Sequence, residues 1–562
     1  MAARPSTWPQ STKELLPHVL FKLADKYPDL TYAEYHINPA TIADGFRKVT
    51  YREMANAVHA SAWWIEKNAG KPEVDDGRET MVYIGPNDVR YGILVLASVM
   101  VGYKMLFPSP RYGRDALAAL IDRVDGKIML RPSTPVPVVD EVLQAREMKS
   151  FQIPSLEGLL SAQPDPYQYT KAFETSKHEP LIALHTSGTT GFPKPIIWTH
   201  DWANSVAEST YMPSPDGYER MDAIYHGPQT RMMFMFPPFH ASGFFGSLFF
   251  QLLTGATVIF PPAAASPQAQ MDAMAESLDL LDEPVDSVPM PPPHVEYLGA
   301  NPGLLDRVSN KIKTAYWAGG DISMAAGNAV SAKMQLFTSM GSTELGLWPS
   351  LRKSGPWNAE NVDEHWHYMR FHPAQNIKFI PMSDSADGQL YEAVMVRNKD
   401  DEWVQPIFKI SSNAGEKEVK LGDLYTQHPQ DAQLWKHYGR ADDLLVFITS
   451  EKFHPGAAER RITSHPGVED VMIVGTRRAK ASLIVKLGEG VRLDDVWDTI
   501  EDVNKASPVY ARVATKDMVL VAKQPFLKTA KGTVQKKAML DLYAKELDAL
   551  YSEPKSSAPT TP

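Results

Sequence analysis

Between residues 185 and 195 the chain reads His-Thr-Ser-Gly-Thr-Thr-Gly-Phe-Pro-Lys-Pro. An apolar run, Leu181 to Leu184, feeds this stretch, and Pro193 and Pro195 flank its single cation, Lys194. A strand that delivers Thr186, Ser187, Gly188, Thr189, Thr190 and Gly191 into a concave turn presents hydroxyls and backbone N–H groups together. Phosphate oxygens need such donors, and Lys194 adds a mobile countercharge. A Walker-type loop is excluded by spacing, because no Gly-Lys-Ser/Thr follows four residues after Gly188. Clusters of Ser, Thr and Gly are also common in plain solvent loops. Composition alone leaves both readings open.

The chain has 562 residues, 43% hydrophobic and 22% charged, enough for two or more domains each burying a core. A formal net charge of -10 argues against a nucleic-acid partner, which usually requires a basic face. The absence of cysteine excludes disulfides, thiolate metal sites and a cysteine nucleophile. No signal-like apolar core opens the sequence, and its most apolar window, Ile93 to Val101, is too short for a membrane span. A soluble cytoplasmic protein without a membrane partner is expected.

Apolar spacings of three and four predict helices over Leu15–Lys26, Tyr51–Lys67, Tyr91–Val101 and Arg114–Arg123. Short strand-like runs alternate with them, at Met81–Ile84, Lys104–Phe107, Ile182–His185, Met232–Phe236 and Thr257–Phe260. Such alternation predicts an α/β body with doubly wound parallel sheets. After about residue 437 the pattern changes to strands at Val468–Val474 and Ala481–Val485 and helices near Leu493 and over Gln535–Leu550. This predicts a small C-terminal α+β domain over 438–548, followed by a Pro/Ser/Thr-rich linker over 549–562.

"HTSGTTGFPKP" resembles the phosphate loop of the acyl-adenylate-forming superfamily, which includes acyl-CoA synthetases, luciferases and adenylation domains of peptide synthetases. Five further stretches resemble its motifs in the same order: "FPPFHASGF" (236–244), "YWAGGD" (316–321), "SMGSTELG" (339–346), "LGDLY" (421–425) and "YGRADD" (438–443). "VGYKMLFPSPR" (101–111) and "KGTVQKK" (531–537) are similar to the adenylation domains of fungal, synthetase-like carboxylic acid reductases. The resemblance implies an N-terminal adenylate-forming core over 1–437 and a mobile subdomain over 438–548. It also implies ATP and Mg²⁺ as cofactors, a small carboxylic acid as substrate, and phosphopantetheine of a downstream carrier domain as acceptor, with a reductase domain beyond it. A freestanding acyl-CoA ligase, and a degenerate domain that binds nucleotide without turnover, remain as alternatives.

Residue by residue, the resemblance assigns Glu344 to the Mg²⁺ that bridges ATP phosphates, a task suited to carboxylate oxygen. It assigns Thr343 to the α-phosphate, and Gly319, Gly320, Met340, Gly341 and Ser342 to the adenine side and its turn. Asp423 and Arg440 fall to the ribose, and Asp442 to the interdomain hinge. His240 falls at the substrate edge, where a lone histidine on an apolar run is otherwise a satisfied core residue. Three departures stand out. "ITSEKFHP" (448–455) stands where the family usually has a Gly-rich turn after the hinge, in a loop that lines the thioester-forming tunnel of relatives. Met340 replaces the usual adenine-stacking aromatic. Thr533 occupies the usual position of the adenylating lysine, leaving Lys531 as the candidate, Lys528 as its rival and a solvated basic loop as the plain alternative. Amino-acid-activating relatives carry Asp where His240 stands, so an ordinary α-amino acid is not expected. The motifs place Ala241, Phe244, Tyr316, Ala318, Ser339, Leu347 and Trp348 beside His240 around the acyl group. Those walls hold no formal charge and suit an aryl acid or a betaine-type acid, with a short aliphatic acid as the plain alternative.

Overall fold

The computed structural model describes the chain except residues 1–6, 39–40, 74–75, 187–192, 222–226, 229, 263, 265, 356–365, 386–387, 400–401, 449–450, 529–533 and 553–562. Ser187, Gly188, Thr189, Thr190, Gly191 and Lys531 therefore lie outside the described residues. The rest forms two compact units, one from 7–377 and 395–419, the other from 378–394 and 420–552.

Local chemistry accounts for several elements of the first unit. The helix Tyr51–Ala69 starts at a capping box, in which Thr50 and Glu53 satisfy each other's backbone N–H groups. The helix Arg90–Val101 is buried on every face, matching a sequence that is apolar from Ile93 on apart from Ser98, and ends at Gly102 in the left-handed region. Two sheets organise this unit. One has six strands, ordered Lys149–Gln152, Gly126–Arg131, Thr80–Tyr83, Lys104–Leu106, Pro180–Thr186 and Lys194–Thr199. All pairs are parallel except the last hairpin. The other has seven strands, ordered Gln335–Thr338, Thr314–Trp317, Ser287–Met290, Arg231–Met233, Thr257–Ile259, Thr31–His36 and Phe46–Thr50. Again only the final pair is antiparallel. The expected α/β body with parallel sheets is what the chain forms.

In the second unit an antiparallel pair, Glu418–Gln427 with Trp435–Arg440, belongs to a four-stranded sheet with Ile377–Ser385 and Gly388–Val396. The expected boundary at 437/438 falls within the strand Trp435–Arg440. Beyond it, Val468–Val474, Ser482–Leu487 and Val519–Val521 make a three-stranded sheet. One face, through Val471, Ile473 and Val485, packs on Ile462, Val496 and Ile500 of two helices. The opposite face, through Met472, Val474 and Ile484, packs on Met539, Tyr543 and Leu547. The alternation along each strand is the ordinary period of two. The predicted helix over Gln535–Leu550 is two helices, Lys536–Leu542 and Ala544–Ser552, that meet at Tyr543. Tyr543 takes its N–H to Met539 and gives its carbonyl to Leu547, so the four-residue apolar spacing survives the break.

Three buried histidines predict a fold that loses stability in acid. Burial pushes His200 down to about 3, His294 to about 4 and His454 to about 4, all from an ordinary 6.5. Each is neutral in the native state, whereas the unfolded chain binds its proton below about 6.5. Their stabilisation is complete above pH 6.5 and is lost as pH falls toward 4. We expect the melting temperature to drop over that window. His454→Gln, which cannot titrate, should shallow the drop; an unchanged pH slope in that variant would contradict the assignment.

Candidate active site

The turns carrying "FPPFHASGF", "YWAGGD" and "SMGSTELG" leave the seven-stranded sheet at the carboxyl ends of its parallel strands, where open α/β sheets bind ligands. Thr314–Trp317 runs into Ala318, Gly319 and Gly320. Gly319 has φ +93°, a conformation that disfavours any side chain. The Trp317 indole N–H donates to the Gly320 carbonyl at 3.1 Å and closes the turn. On the adjacent strand, Gln335–Thr338 continues into Ser339, whose N–H donates to the Trp317 carbonyl at 2.8 Å. Gly341 and Ser342 then pair back on Leu347 and Gly346. The Trp348 N–H reaches the Met340 carbonyl at 2.9 Å, and the Leu345 N–H reaches the Ser342 hydroxyl at 3.2 Å. Thr343 and Glu344 sit at the tip of this hairpin. Two strands beyond Thr314–Trp317 in the sheet, Arg231–Met233 leads through Pro237 and Pro238 to His240. His240 precedes the helix Ala241–Phe244, with its Nδ1 2.9 Å from the Ser242 hydroxyl.

The six-stranded sheet contributes the other wall. Thr186 pairs with Lys194 across the hairpin whose loop is the Ser/Thr/Gly run. His185 Nε2 accepts from the Ser109 N–H at 3.1 Å, and the Arg123 guanidinium donates to the Pro193 carbonyl at 3.0 Å. The base of the loop is thus held on both sides.

Glu344 fits the metal role in a particular way. Its carboxylate takes no hydrogen bond or ion pair from any described residue. No cluster of three or more potential ligands exists among the described residues. A lone carboxylate suits Mg²⁺, which keeps most of its waters and binds through one or two carboxylates plus substrate phosphates.

In the second unit, Asp423 and Arg440 face each other across the strand pair. Arg440 Nη1 reaches Asp423 Oδ1 at 3.2 Å, and Nε reaches Asp442 Oδ1 at 3.2 Å. Burial alone would lower the guanidinium pKa, but these two carboxylates hold it above its ordinary value. Gly422 explains the Gly-Asp pair. Its φ is +71°, and a Cβ there would stand 2.6 Å from Arg440 Nη2. Gly422→Ala should therefore displace the guanidinium and cost roughly 1–3 kcal/mol in the second unit. Thermal unfolding together with ATP titration checks this; unchanged stability and affinity would contradict it.

The acyl-pocket candidates do not all face one space. Phe244 is fully buried and packs on Phe107 at 5.1 Å between ring centroids, and Tyr316 stacks on Phe337 at 5.1 Å. Leu347 lines a cavity of about 180 Å³ with Val206, Phe245, Phe249 and Tyr211, on which Trp348 does not border. The Trp348 ring instead meets Phe371, and its buried indole N–H has no partner among the described residues. An unsatisfied buried donor is costly, and a ligand acceptor would satisfy it.

Sequence reasoning missed Trp198 and Trp202. Their indole N–H groups donate to the carbonyls of Thr343 at 2.6 Å and Glu344 at 2.9 Å. They join the strand and helix that follow the Ser/Thr/Gly loop to the Thr-Glu turn. The available signal was two tryptophans four residues apart at a strand-to-helix junction, which names no acceptor.

Comparison with known proteins bears on the family and the fold. Residues 21–365 match the model of the AMP-binding enzyme family, and residues 442–555 match that of the AMP-binding enzyme C-terminal domain. Among curated relatives, the isocyanide synthase-NRPS hybrid crmA of Aspergillus fumigatus is 30% identical over 96% of this chain and 33% of its own length. A carboxylic acid reductase of Neurospora crassa is 28% identical over 92% of this chain and 49% of its own. The chain thus spans about a third to a half of the length of these relatives. Among solved structures, ATP-bound MatB from Rhodopseudomonas palustris superposes with a TM-score of 0.68 at 15% identity, covering 95% of this chain and 100% of its own. The anthranilate CoA ligase AuaEII in complex with anthranoyl-AMP gives 0.68 at 14% identity, covering 96% of this chain and 99% of its own. Family match and fold together show that the chain belongs to the AMP-binding enzymes, the acyl-AMP-forming, ligase-type family.

Proposed function

We propose that this chain is the adenylation domain of a synthetase-like carboxylic acid reductase, activating a carboxylic acid lacking a free α-amino group. The observation that carries the reading is the Thr343–Glu344 turn, set among the carboxyl-end loops of one parallel sheet and bonded to the strand leaving the Ser/Thr/Gly loop. In the first half-reaction a substrate carboxylate oxygen attacks the α-phosphorus of ATP and pyrophosphate leaves. Thr186 to Gly191 and Lys194 bind phosphates, Thr343 donates to the α-phosphate, and Glu344 would hold Mg²⁺, which supplies charge neutralisation when bound. Asp423 and Arg440 orient the ribose, Met340 covers the adenine, and Lys531 neutralises the carboxylate and phosphate as they meet. The protein's contribution is positioning and electrostatics, not covalent chemistry.

In the second half-reaction a phosphopantetheine thiolate attacks the acyl carbonyl and AMP leaves. The mobile part of the chain, beginning at the Asp442 hinge, reorients between the two steps. The printed names of the relatives, carboxylic acid reductase and adenylate-forming reductase, support a carrier and reductase downstream. The altered loop "ITSEKFHP" (448–455) makes the acceptor the step to test. Supplied with its acid and ATP, the chain should acylate a phosphopantetheinylated carrier domain far faster than free CoA. Preferential formation of acyl-CoA would assign it to the freestanding ligases instead.

The uncharged walls and His240 at the substrate edge support an aryl or betaine-type acid. The packed faces of Phe244 and Tyr316 and the Trp348 indole N–H, unpartnered among the described residues, favour the aryl class with a hydrogen-bond acceptor. Trp348→Phe should then raise KM for such an acid by about tenfold, in line with a donor worth about 1–2 kcal/mol. If a betaine is activated and its tert-butyl isostere is not, ring faces and cation–π attraction are being read instead.

A further inference from the structure

The indoles of Trp198 and Trp202 lie parallel, with centroids 3.9 Å apart and planes 10° from each other, and both are fully buried. Trp198 stands on the strand Lys194–Thr199, and Trp202 in the first turn of the helix His200–Tyr211. The Thr199 hydroxyl accepts from the Trp202 N–H at 3.2 Å, capping that helix and bringing both rings to one side of the junction. Phe249 meets both indoles edge-on, at 6.0 and 6.1 Å.

A buried indole needs some acceptor, so packing alone would explain one such bond. It does not select the acceptors found. The two N–H groups take consecutive carbonyls, those of Thr343 and Glu344. These carbonyls belong to the two peptide planes on either side of the Glu344 Cα. Peptide groups are planar, so holding both planes sets the direction of the Glu344 Cα–Cβ bond. We propose that Trp198 and Trp202 are positioning residues that aim the Glu344 carboxylate at the metal-bound triphosphate. They couple that aim to the strand leaving the phosphate loop. The inference rests on the proposed role of Glu344 and goes beyond it, since neither tryptophan touches substrate.

Trp198→Phe and Trp202→Phe keep a ring in the stack and delete the donor. Site-specific 3-benzothienylalanine at 202 does the same while preserving the fused ring, in case phenylalanine disturbs folding. The readouts are Mn²⁺ binding by electron paramagnetic resonance with a non-hydrolysable ATP analogue, and the Mg²⁺ dependence of pyrophosphate release. Each donor deletion should weaken Mn²⁺ binding and raise the Mg²⁺ half-saturation by about tenfold, equivalent to about 1.4 kcal/mol. Phe249→Leu, which loosens the same cluster without removing a donor, should lower the melting temperature and leave metal dependence unchanged. If all these variants lose stability alike and none shifts metal dependence, the tryptophans are merely structural and the proposal is overturned. If Glu344→Gln also leaves metal dependence unchanged, the reading of Glu344 itself fails. A shift in Glu344→Gln with none in the tryptophan variants rejects the positioning role alone.

Discussion

Lys531→Ala should lower acyl-AMP formation by about 10²–10³-fold while leaving thioester formation from supplied acyl-AMP nearly intact. That is the typical loss when one preorganised donor is removed from a transition state where charge develops. The choice of lysine gains support from its neighbours. Lys528 Nζ is engaged by Asp470 at 2.6 Å, and its backbone bridges to Val534. Lys536 lies 3.3 Å from Asp443 and 3.7 Å from Glu459. Both are committed to ion pairs within the second unit. Lys531 stands midway between the bridged residues in the sequence, two positions before Thr533. A long side chain covers that displacement, whereas threonine at 533 carries no charge. Lys528→Ala should cost much less, on the order of an exposed ion pair. Loss of adenylation in Lys528→Ala with none in Lys531→Ala would move the role to Lys528.

Asp442→Pro should spare adenylation and block thioester transfer by 10²-fold or more. Asp442 lies in the short turn Ala441–Asp443, and its backbone N–H makes no hydrogen bond within that turn. Proline fixes φ near −65° and prevents the backbone rotation that a hinge requires. Two side effects need a control. Proline disfavours helical angles at Ala441, and the change removes the carboxylate bonded to Arg440. Asp442→Ala loses only the carboxylate, so it should retain most thioester transfer. Equal loss of both half-reactions in Asp442→Pro, with the same loss in Asp442→Ala, would mean that the residue is structural.

Much of the fold was legible because its signals are local. The helix from Tyr51 announces itself by Thr50 and Glu53, and the buried helix from Arg90 by a nearly continuous apolar run. Two of the motifs, "YWAGGD" and "SMGSTELG", pointed to loops that the seven-stranded sheet gathers at the carboxyl ends of its parallel strands, since each runs out of a strand directly. What stayed hidden depends on long-range pairing. Nothing local to residues 418–440 tells that these strands join a sheet with 377–396. Motif alignment supplies positions around an acyl group but not the faces they present. Leu347 and Trp348 are adjacent in sequence, yet Leu347 lines a cavity that Trp348 does not reach. Trp198 and Trp202 look like ordinary core residues until their acceptors, more than a hundred residues away, are seen.

The account stands most directly on acid-dependent exchange of labelled pyrophosphate into ATP. The assay isolates the first half-reaction and needs no carrier or reductase. With a panel of aryl, betaine-type, short aliphatic and α-amino acids, exchange should appear for an aryl or betaine-type acid. It should be absent for α-amino acids and fall to background in Glu344→Gln. Nucleotide binding without acid-dependent exchange from any member of the panel would contradict the account and leave a nucleotide-binding domain without turnover.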